Sequence, residues 1–526
     1  MINGKQIIGF EQSADGKEYI QSINPATGEK IAEFAVATSE EVDKAVAKAT
    51  AAFQVYRKKS GKEKAAFLEA IADEIVAIGD ELITICCAES ALPKGRIEGE
   101  RGRTTGQLKL FADLLKEGSW LDARIETANP ERTPIPKPDI RYMQMPLGPV
   151  VVFGASNFPL AFSVAGGDTA SALAAGCTVV VKAHPAHPAT SELIGKAIQK
   201  AAKSTGMPDG VFSLLFGDGP ILGGQLVKHP DVKAVGFTGS FAGGKALFDL
   251  AVRREVPIPV YAEMGSTNPV FILPETVKNQ AETFAKNFSG SVTLGVGQFC
   301  TNPGMLIYEE STDGKELTKR LEEEFQQVAG GVMLASNIYK SYNNGVGRHS
   351  GVPGVHTLAK GKTSDAMNTA SPVLFKTDSS VLSQHPDLAE EIFGPTSLVV
   401  EARSKEDVLQ IARNLTGHLT ASVHGTEQDL VAYKDLLDIL EQKVGRVIIN
   451  GFPTGVEVCS AMVHGGPFPA TTDSRSTSVG TAAIDRFTRP VSYQNMPQAL
   501  LPDELKNSNP LNIWRLVNGN FSKEVI

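Results

Sequence analysis

Short runs of β-branched residues alternate with helical segments between Gly148 and Met264, and this alternation limits the folds open to the chain more than any other feature. Each run is too short for a helix and is bounded by glycine, proline or polar residues, as buried strands are. The runs are VVVF (150–153), TVVV (178–181), VFSLLF (211–216), VKAVGF (232–237) and VPIPVYAEM (256–264). Strands that alternate with helices form a parallel sheet covered on both faces. We therefore predict a doubly wound α/β domain that binds a ligand beyond the carboxyl ends of its strands.

A second alternating region follows and predicts a second α/β domain. Its runs are LIYEE (306–310), SLVVEA (397–402) and RVIIN (446–450). Two further segments, 128–147 and 484–503, fit neither sheet, and their proline and polar residues favour extended edge ribbons that pair with something else. We expect these ribbons to form an oligomerisation arm of a homodimer or homotetramer. Near the N-terminus, Thr38–Glu41 is typical of a capping box and predicts a helix from there.

Charge and hydropathy exclude several classes of partner. The 526 residues carry a net charge of −8 without a basic run, so no contact with nucleic acid is expected. The N-terminus lacks the apolar core of a signal peptide, which favours a cytoplasmic protein. The apolar segment 148–181 is broken by Gly154, Pro159 and Gly166, so we interpret it as strand, helix and strand and expect no membrane partner.

Cys300 stands out among five cysteines that include no CxxC pair, a pattern that predicts reduced thiols and no metal site. Gly295, Gly297 and Pro303 flank it in the stretch GVGQFCTNP, which predicts a turn where the backbone can approach a ligand closely. Such a position suits a nucleophile. A small apolar residue packed in the core is the alternative, and this stretch by itself leaves both interpretations open.

Seven motifs occur in order along nearly the whole chain, and together they resemble the aldehyde dehydrogenase superfamily. They are ASNFP (155–159), VKAHPAHP (181–188), GFTGS (236–240), AEMGSTNP (262–269), GQFC (297–300), EEIFGP (390–395) and HGGPFPAT (464–471). The resemblance implies an aldehyde dehydrogenase-like α/β fold with a Rossmann-type cofactor domain, a second α/β catalytic domain and a small β oligomerisation arm. The implied bounds are 1–127 with 149–264 for the first domain, 265–483 for the second, and 128–148 with 484–503 for the arm.

The resemblance implies catalytic roles for three residues. Cys300 would attack an aldehyde as a thiolate and carry it through a thiohemiacetal and a thioester. Asn157 and the backbone N–H of Cys300 would stabilise the negative oxygen that develops. Glu263 would activate the water that hydrolyses the thioester, and the apolar neighbours Met264 and Pro269 predict that its pKa is raised. Met264 also departs from the Leu-Gly-Gly sequence that the family more often shows after this glutamate.

The same motifs imply how a nicotinamide cofactor is held. Glu391 would bind the nicotinamide ribose, with Phe393 packed beside it. Gly239 and Ser240 would face the pyrophosphate, and Gly244 would open the helix there. As a glycine pattern alone, GFTGS fits a tight turn between strand and helix equally well.

The choice between NAD and NADP depends on the residues after the strand VVVK. Lys182 matches the lysine that contacts the adenosine ribose in the family, with an ordinary solvated lysine as the alternative. NAD-specific relatives commonly place a glutamate three residues later, where this chain has Pro185. That glutamate would repel a 2′-phosphate, whereas Lys182 and His184 offer positive charge. The resemblance thus favours NADP, with NAD still usable.

Residues 99–118 are predicted to form a helix and offer candidates for a substrate clamp. On such a helix one stripe collects Arg101, Thr104, Leu108, Phe111 and Leu115. An arginine at the end of an apolar, core-facing stripe needs a carboxylate, so Arg101 or Arg103 is expected to hold an acidic substrate. An internal ion pair with Glu98 or Glu100 is the alternative.

The substrate expectation also rests on resemblance. The helix 99–118 and the motifs around residues 155–177 and 453–480 are similar to the subgroup that oxidises 2,5-dioxopentanoate (α-ketoglutarate semialdehyde) to 2-oxoglutarate, with Phe158 and Phe468 expected in the aldehyde pocket. A fatty or broad-range aldehyde dehydrogenase is the alternative, since a related subgroup accepts long-chain fatty aldehydes through an apolar tunnel. A non-catalytic structural or binding member of the superfamily is a third possibility, against which Cys300, Glu263 and Asn157 all argue.

Overall fold

Strands and helices alternate through most of the computed structural model, which describes residues 2–526. The strands are β1 (Gln6–Ile8), β2 (Glu11–Ser13), β3 (Tyr19–Ile23), β4 (Lys30–Ala35), β5 (Arg124–Glu126), β6 (Ile140–Pro146), β7 (Val150–Phe153), β8 (Val179–Lys182), β9 (Phe212–Leu215), β10 (Ala234–Thr238), β11 (Val260–Glu263), β12 (Val270–Ile272), β13 (Met305–Glu309), β14 (Gly331–Val332), β15 (His356–Lys360), β16 (Thr369–Ala370), β17 (Val373–Asp378), β18 (Thr396–Ala402), β19 (His418–His424), β20 (Val444–Ile449), β21 (Thr488–Gln494), β22 (Arg515–Val517) and β23 (Asn520–Ser522). The helices are α1 (Ser39–Tyr56), α2 (Gly61–Ala77), α3 (Asp80–Ser90), α4 (Lys94–Glu117), α5 (Gly167–Ala175), α6 (Pro188–Ser204), α7 (Gly219–Lys228), α8 (Phe241–Val252), α9 (Pro274–Thr293), α10 (Thr312–Gln327), α11 (Ser336–Ser350), α12 (Ser379–Gln384), α13 (Lys405–Asn414), α14 (Glu427–Ala432) and α15 (Lys434–Leu440).

The first sheet is the doubly wound one that the sequence predicts. Its strand order is β11-β10-β7-β8-β9-β1-β2, and β7 to β11 run parallel. Each of the five apolar runs forms one of these parallel strands, so that prediction is confirmed. The order reverses beside β7, because the chain passes to β8 on one side and later reaches β10 on the other. Such a reversal opens a crevice at the carboxyl ends of the strands.

The two faces of β7 explain why its sequence is apolar throughout. Val150 and Val152 pack into one hydrophobic core, and Val151 and Phe153 pack into another on the opposite face. Helices cover both faces, so no position of the strand meets water. Each buried aliphatic side chain contributes roughly 1.5–3 kcal/mol. The predicted capping box at Thr38 is present and begins α1, which lies over one of these faces.

The second sheet has the order β15-β17-β18-β13-β12-β19-β20. All its neighbouring pairs are parallel except β15 with β17. The three apolar runs of the second region lie in β13, β18 and β20, as predicted. Two further hydrophobic cores lie on its faces.

The third sheet has the order β21-β6-β5-β22-β23 and takes up the two ribbon segments. β6 and β21 pair with each other, antiparallel, from Ile140 opposite Gln494 to Pro146 opposite Thr488. The sheet extends beyond the predicted bounds 128–148 and 484–503, since it includes β5 and the C-terminal strands β22 and β23. These three-residue strands are too short to show an alternating pattern.

The apolar segment 148–181 folds into β7, the nine-residue α5 and β8, in the predicted order of strand, helix and strand. No helix within residues 2–526 has both the length and the apolar character needed to cross a membrane.

Candidate active site

Two predicted site residues end strands of the first sheet. Glu263 is the last residue of β11, and Lys182 is the last residue of β8. Glu263 aligns with Thr238 of β10 and Lys182 aligns with Phe153 of β7, so both side chains lie at one edge of the parallel sheet. The loop that leaves β7 at the reversal of strand order carries Asn157. The topology therefore gathers these three side chains around one crevice.

A segment from late in the chain closes over this edge. The backbone N–H of Met264 donates to the carbonyl of Ala470 over 2.8 Å. Glu263 and Thr471 form an antiparallel bridge. This pairing brings His464 beside Glu263, although the two residues are 201 positions apart.

Cys300 follows a left-handed turn at the end of α9. Gly295, Val296 and Gly297 have φ angles of 55°, 59° and 65°. A Cβ at position 297 would lie 2.3 Å from the carbonyl carbon and oxygen of Gly394, so only glycine fits there. Val296 is β-branched and sits in a region that such residues rarely adopt, which stores strain next to the thiol. The predicted turn is present, and Cys300 itself is partly exposed.

Cys300, His464 and Glu263 form a cluster of three proton-carrying groups. The Cys300 Sγ lies 3.4 Å from the His464 Nε2, and the same Nε2 lies 2.9 Å from the Glu263 Oε1. The Ser478 hydroxyl donates to the other Glu263 oxygen over 2.6 Å. The histidine and the glutamate are both buried. A single imidazole nitrogen therefore contacts both the thiol and the carboxylate.

The predicted raised pKa of Glu263 is wrong. Burial by itself raises that pKa, but the charge and hydrogen bond of His464, the Ser478 hydroxyl and the Cys300 thiol outweigh it, so the pKa of Glu263 lies below its usual range. The prediction considered only the apolar neighbours Met264 and Pro269, whereas these polar contacts decide the pKa. Conversely, burial and the Glu263 carboxylate hold the pKa of Cys300 well above its usual value. Near neutral pH the cluster therefore holds an ionised carboxylate beside a protonated thiol.

Two asparagines hold the loop that carries the thiol. The Asn157 Nδ2 donates to the carbonyl of Gln298 over 3.0 Å, which leaves its second N–H for another acceptor. The Asn268 Nδ2 contacts the carbonyls of Cys300 and Asn302 at 2.9 and 3.0 Å. The structure thus brings the predicted oxyanion donor Asn157 to the cysteine loop.

An aromatic pocket adjoins Cys300. The Phe158 ring centroid lies 5.3 Å from that of Phe162 and 5.5 Å from that of Phe299, the residue before the cysteine. The Phe162 ring is also 6.1 Å from the His464 ring. The predicted pocket residue Phe158 therefore lies at the centre of this group.

Arg103 lies across the aromatic pocket. Its guanidinium carbon is 5.5 Å from the Phe158 ring centroid and 5.2 Å from that of Phe162. Its buried Nε has no hydrogen-bond partner among residues 2–526. The alternative partner Glu100 pairs instead with Arg96 at 2.5 Å. Arg103 is thus a cation held between ring faces and not by a carboxylate.

Two other predicted substrate residues lie elsewhere. Arg101 is only partly buried, unlike the rest of its stripe, and its Nη1 contacts the carbonyl of Gly79 at 3.3 Å, at the start of α3. Arg101 and Arg103 lie in different surroundings because residues two positions apart on a helix project in nearly opposite directions. Phe468 is 54% exposed and packs edge-on against Phe241 at the start of α8, with ring centroids 5.9 Å apart. It is therefore not part of the group around Phe158.

Two ionisable side chains in the crevice have pKa values that burial shifts toward the neutral form. Burial lowers the pKa of Lys182 to about 8, and the carboxylate of Asp218 only partly opposes this. Burial raises the pKa of Glu391 to about 8, although the backbone N–H of Ser266 bonds to it. Phe393, two residues further on, is partly buried. Such under-satisfied groups fit a ligand that brings hydroxyls, as the riboses of NAD(P) do.

The start of α8 fits a pyrophosphate. Ser240 caps the twelve-residue helix, and both Gly239 and Ser240 are exposed. The free N–H groups and the dipole of a helix N-terminus attract anions. The prediction that Gly244 opens the helix is wrong, because the helix already begins at Phe241. Instead Gly244 lets α8 pack closely, since a Cβ there would lie 2.7 Å from the Met264 Cγ.

His184 does not supply the predicted positive charge. Burial lowers its pKa well below the usual value, and the neighbouring His187 and Lys182 add to this effect. Its Nδ1 accepts a hydrogen bond from the backbone N–H of Ala186 over 3.1 Å. Pro185 is exposed in the same turn. Lys182 is therefore the one side chain among these predicted residues that can carry a positive charge.

His464 and Asn268 are functional candidates that sequence reasoning did not single out. Both lie within motifs that were recognised, HGGPFPAT and AEMGSTNP, so a signal was present. Their roles depend on partners far away in the chain, because His464 meets Cys300 across 164 positions. No local pattern specifies such a contact.

Comparison with known proteins assigns the family. A model of the aldehyde dehydrogenase family matches residues 10–489. The chain is 49% identical to alpha-ketoglutaric semialdehyde dehydrogenase 2 of Azospirillum brasilense over 520 residues, which cover 98% of this chain and 99% of that protein. It is 48% identical to alpha-ketoglutaric semialdehyde dehydrogenase of Acinetobacter baylyi over 519 residues, 98% of each protein.

A solved structure of 3,6-anhydro-L-galactose dehydrogenase in complex with NAP shares the fold, with a TM-score of 0.79, 22% identity and coverage of 93% of this chain and 99% of that one. Enzymes of the matching family use NAD or NADP. Because the family model spans most of the sequence and relatives near half identity align over almost all of it, the chain belongs to the aldehyde dehydrogenase family.

Proposed function

We propose that the protein oxidises 2,5-dioxopentanoate (α-ketoglutarate semialdehyde) to 2-oxoglutarate, with NADP as the preferred hydride acceptor. The observation that carries the substrate assignment is Arg103, a guanidinium without a carboxylate partner over the aromatic pocket beside Cys300. The names of the two relatives at 49% and 48% identity support the same substrate.

The reaction begins at Cys300. Its protonated thiol loses the proton to the nearby Glu263 carboxylate as the sulfur attacks the aldehyde carbon, and a C–S bond forms. His464 holds Glu263 in place and ionised for this transfer. The oxygen of the new thiohemiacetal gains negative charge and needs donors in a fixed position.

Asn157 and the backbone N–H of Cys300 are proposed to supply those donors. The Asn157 Nδ2 keeps one N–H free after its bond to Gln298. Loss of one such donor typically costs about 100-fold to 1000-fold in rate. Bound NAD(P) would supply the hydride acceptor for the oxidation. The residues fit to hold it are Lys182, Gly239, Ser240, Glu391 and Phe393.

Glu263 also serves the second half of the reaction. After the thiol proton has left the site, the carboxylate draws a proton from the water that attacks the acyl carbon of the Cys300 thioester. The C–S bond breaks, the carboxylic acid leaves, and the sulfur takes the proton from Glu263, which restores the resting thiol and carboxylate. One group can do both tasks because its low pKa keeps it ionised at the start of each.

Arg103 is proposed to bind the substrate carboxylate at the far end of the pocket. Ring faces hold its guanidinium without using up its N–H donors, so a carboxylate can bind in a bidentate manner. A cavity of about 560 Å³ opens beside it along α4. Among the side chains that line this cavity are Gln107, Leu110, Val456 and Val458. Lys109, Asp113 and Glu457 line the same cavity. An acidic semialdehyde would have room there, and Arg103 is its proposed countercharge.

Replacement of Arg103 tests the substrate assignment. Arg103→Ala should raise KM for 2,5-dioxopentanoate by about 10-fold to 100-fold, the value of one charge-assisted carboxylate contact, while KM for hexanal changes little. Arg101→Ala is the matched control on the same helix and should leave both substrates near wild type, because Arg101 contacts the Gly79 carbonyl. Equal effects of Arg103→Ala on the two aldehydes would remove support for the clamp.

A fatty or broad-range aldehyde is the second candidate, favoured by the apolar side chains of Val456, Val458 and Met462 that pack against the aromatic pocket. Arg103 interrupts that apolar path, which argues for the acidic substrate. The cluster of Cys300, His464 and Glu263 argues against a purely structural role. Stoichiometric labelling of Cys300 with loss of activity separates catalysis from such a role.

The NADP preference rests on Lys182 and on the absence of a carboxylate at Pro185. His184 no longer contributes to the argument, because its lowered pKa leaves it neutral. The comparison that decides the matter is kcat/KM with each cofactor on the same enzyme preparation. A tenfold bias toward NAD would contradict the proposal.

An oligomer, a homodimer or a homotetramer, is proposed from the third sheet. β21 pairs only with β6 among the described strands, so its outer edge is available to a second chain. A light-scattering mass equal to one chain would exclude this.

A further inference from the structure

The cluster at Cys300 offers three different metal-binding atoms. The Cys300 Sγ, the His464 Nε2 and one Glu263 oxygen all lie within 4.8 Å of one another. The sequence predicts no metal site, because His464 is 164 positions from Cys300 and 201 from Glu263 and no spacing motif connects them. The fold creates the ligand set.

Zn²⁺ fits the chemistry and spacing of these atoms. Thiolate, imidazole and carboxylate bind zinc at roughly 2.0–2.3 Å in a tetrahedron, whose neighbouring ligand atoms are therefore roughly 3.3–3.8 Å apart. The Sγ to Nε2 separation is already 3.4 Å. The Nε2 to Oε1 separation of 2.9 Å must open by about half an ångström, as it would once their hydrogen bond is replaced. The thiolate disfavours Mg²⁺ and Ca²⁺, which prefer oxygen ligands.

The ligands are held on rigid supports. Glu263 ends β11, and its Oε2 accepts from Ser478, which leaves Oε1 to face the cluster. The backbone N–H of His464 is fixed by the Thr477 hydroxyl over 2.9 Å. The carbonyl of Cys300 accepts from Asn268. Three protein ligands leave the fourth position of a zinc tetrahedron for water.

One atom argues against a permanently bound ion. The His464 Nδ1 is buried and has no partner among residues 2–526. A zinc-bound histidine usually donates its second N–H to an outer acceptor, and loss of such a contact weakens binding by roughly 10-fold to 100-fold. The site is therefore built for exchangeable zinc.

We propose that Cys300, His464 and Glu263 bind Zn²⁺ reversibly and that the bound ion inhibits the enzyme. Coordination forms a Zn–S bond in place of the S–H bond, and the proton passes to the buffer. The sulfur can then no longer attack an aldehyde. Inhibition rests on the proposed role of Cys300, whereas binding rests on the geometry alone.

Direct binding is the primary test. The full-length protein is titrated with Zn²⁺ against a chromophoric chelator, and one tight site per chain is expected. His464→Phe should weaken that site at least about 100-fold, since it removes a ligand outright. Cys87→Ser, which removes a partly buried thiol on α3, is the matched control and should bind as wild type. If His464→Phe does not fold, Glu263→Gln gives the same comparison.

Kinetics complete the test. Zn²⁺ should inhibit competitively with the aldehyde, and excess chelator should restore the full rate. Unchanged binding in His464→Phe, or loss of the site in Cys87→Ser, would overturn the inference. If the protein binds zinc through these residues but oxidises no aldehyde, the proposed function is contradicted and the metal site is not. An active enzyme whose zinc affinity does not change when Cys300, His464 or Glu263 is replaced would contradict only the proposed metal site.

Discussion

At the residue scale, two glutamates in one crevice are set to opposite protonation states by their contacts. Glu263 is held ionised by His464 and Ser478. Glu391 is also enclosed, has no cation beside it, and its pKa is raised to about 8. The first suits a proton acceptor, and the second can donate to an oxygen of a bound sugar. Burial alone predicts the state of Glu391 but not that of Glu263.

Lys182 gives a pH prediction at the same scale. Its lowered pKa of about 8 means that the ammonium is present below that pH and is lost as pH rises through it. We expect kcat/KM for NADP to fall by about tenfold above pH 8, the worth of one charge-assisted phosphate contact. Lys182→Arg should remove this decline, since a guanidinium stays charged.

A comparison of wild type with Lys182→Arg also controls for the other titratable groups of the proposed cofactor site. Asp218, His184, His187 and Glu391 are present in both, so any contribution from them, including the Glu391 titration near pH 8, is common to wild type and Lys182→Arg. An equal decline in the two pH profiles would show that Lys182 does not bind the cofactor phosphate.

At the element scale, the turn after α9 connects the nucleophile to the segment that carries Glu391. Gly297 lies directly against the backbone of Gly394, three residues beyond Glu391. The thiol and the proposed nicotinamide site thus share one contact between two loops. Neither loop can move by a side chain's width without displacing the other.

Gly297→Ala tests this contact. The added Cβ would lie 2.3 Å from the Gly394 carbonyl, and the φ of 65° is unfavourable for alanine by roughly 1–2 kcal/mol. We expect a lower melting temperature and a fall in kcat on the order of 100-fold, the usual result of moving a reacting group by about an ångström.

Gly290→Ala in α9 is the control for this substitution. No atom lies within 4 Å of its added Cβ, and alanine favours the helix by up to about 1 kcal/mol. Its kcat should match wild type. Wild-type kcat in Gly297→Ala would show that the two loops are not coupled.

At the scale of the whole molecule, the sequence predicts the parts of the fold that local patterns specify. The parallel strands β7 to β11 of the first sheet and the strands β13, β18 and β20 of the second follow from apolar runs, because strands buried on two faces are apolar along nearly their whole length. The sequence patterns did not single out β12, β17 and β19 of the second sheet, nor β5, β22 and β23 of the third, whose three residues are too few for a pattern. The motifs named Cys300, Glu263 and Asn157, but His464 required a contact across the chain that only the fold provides.

Trapping of the acyl-enzyme tests whether Cys300 is the nucleophile in the oxidation of 2,5-dioxopentanoate. Enzyme, 2,5-dioxopentanoate and NADP are mixed, quenched with acid before the steady state and mapped by peptide mass spectrometry. We expect an acyl group on Cys300, more of it in Glu263→Gln because water then lacks its base, and none in Cys300→Ser. Turnover by Cys300→Ser at a rate near wild type, or an acyl group on another residue, would contradict it.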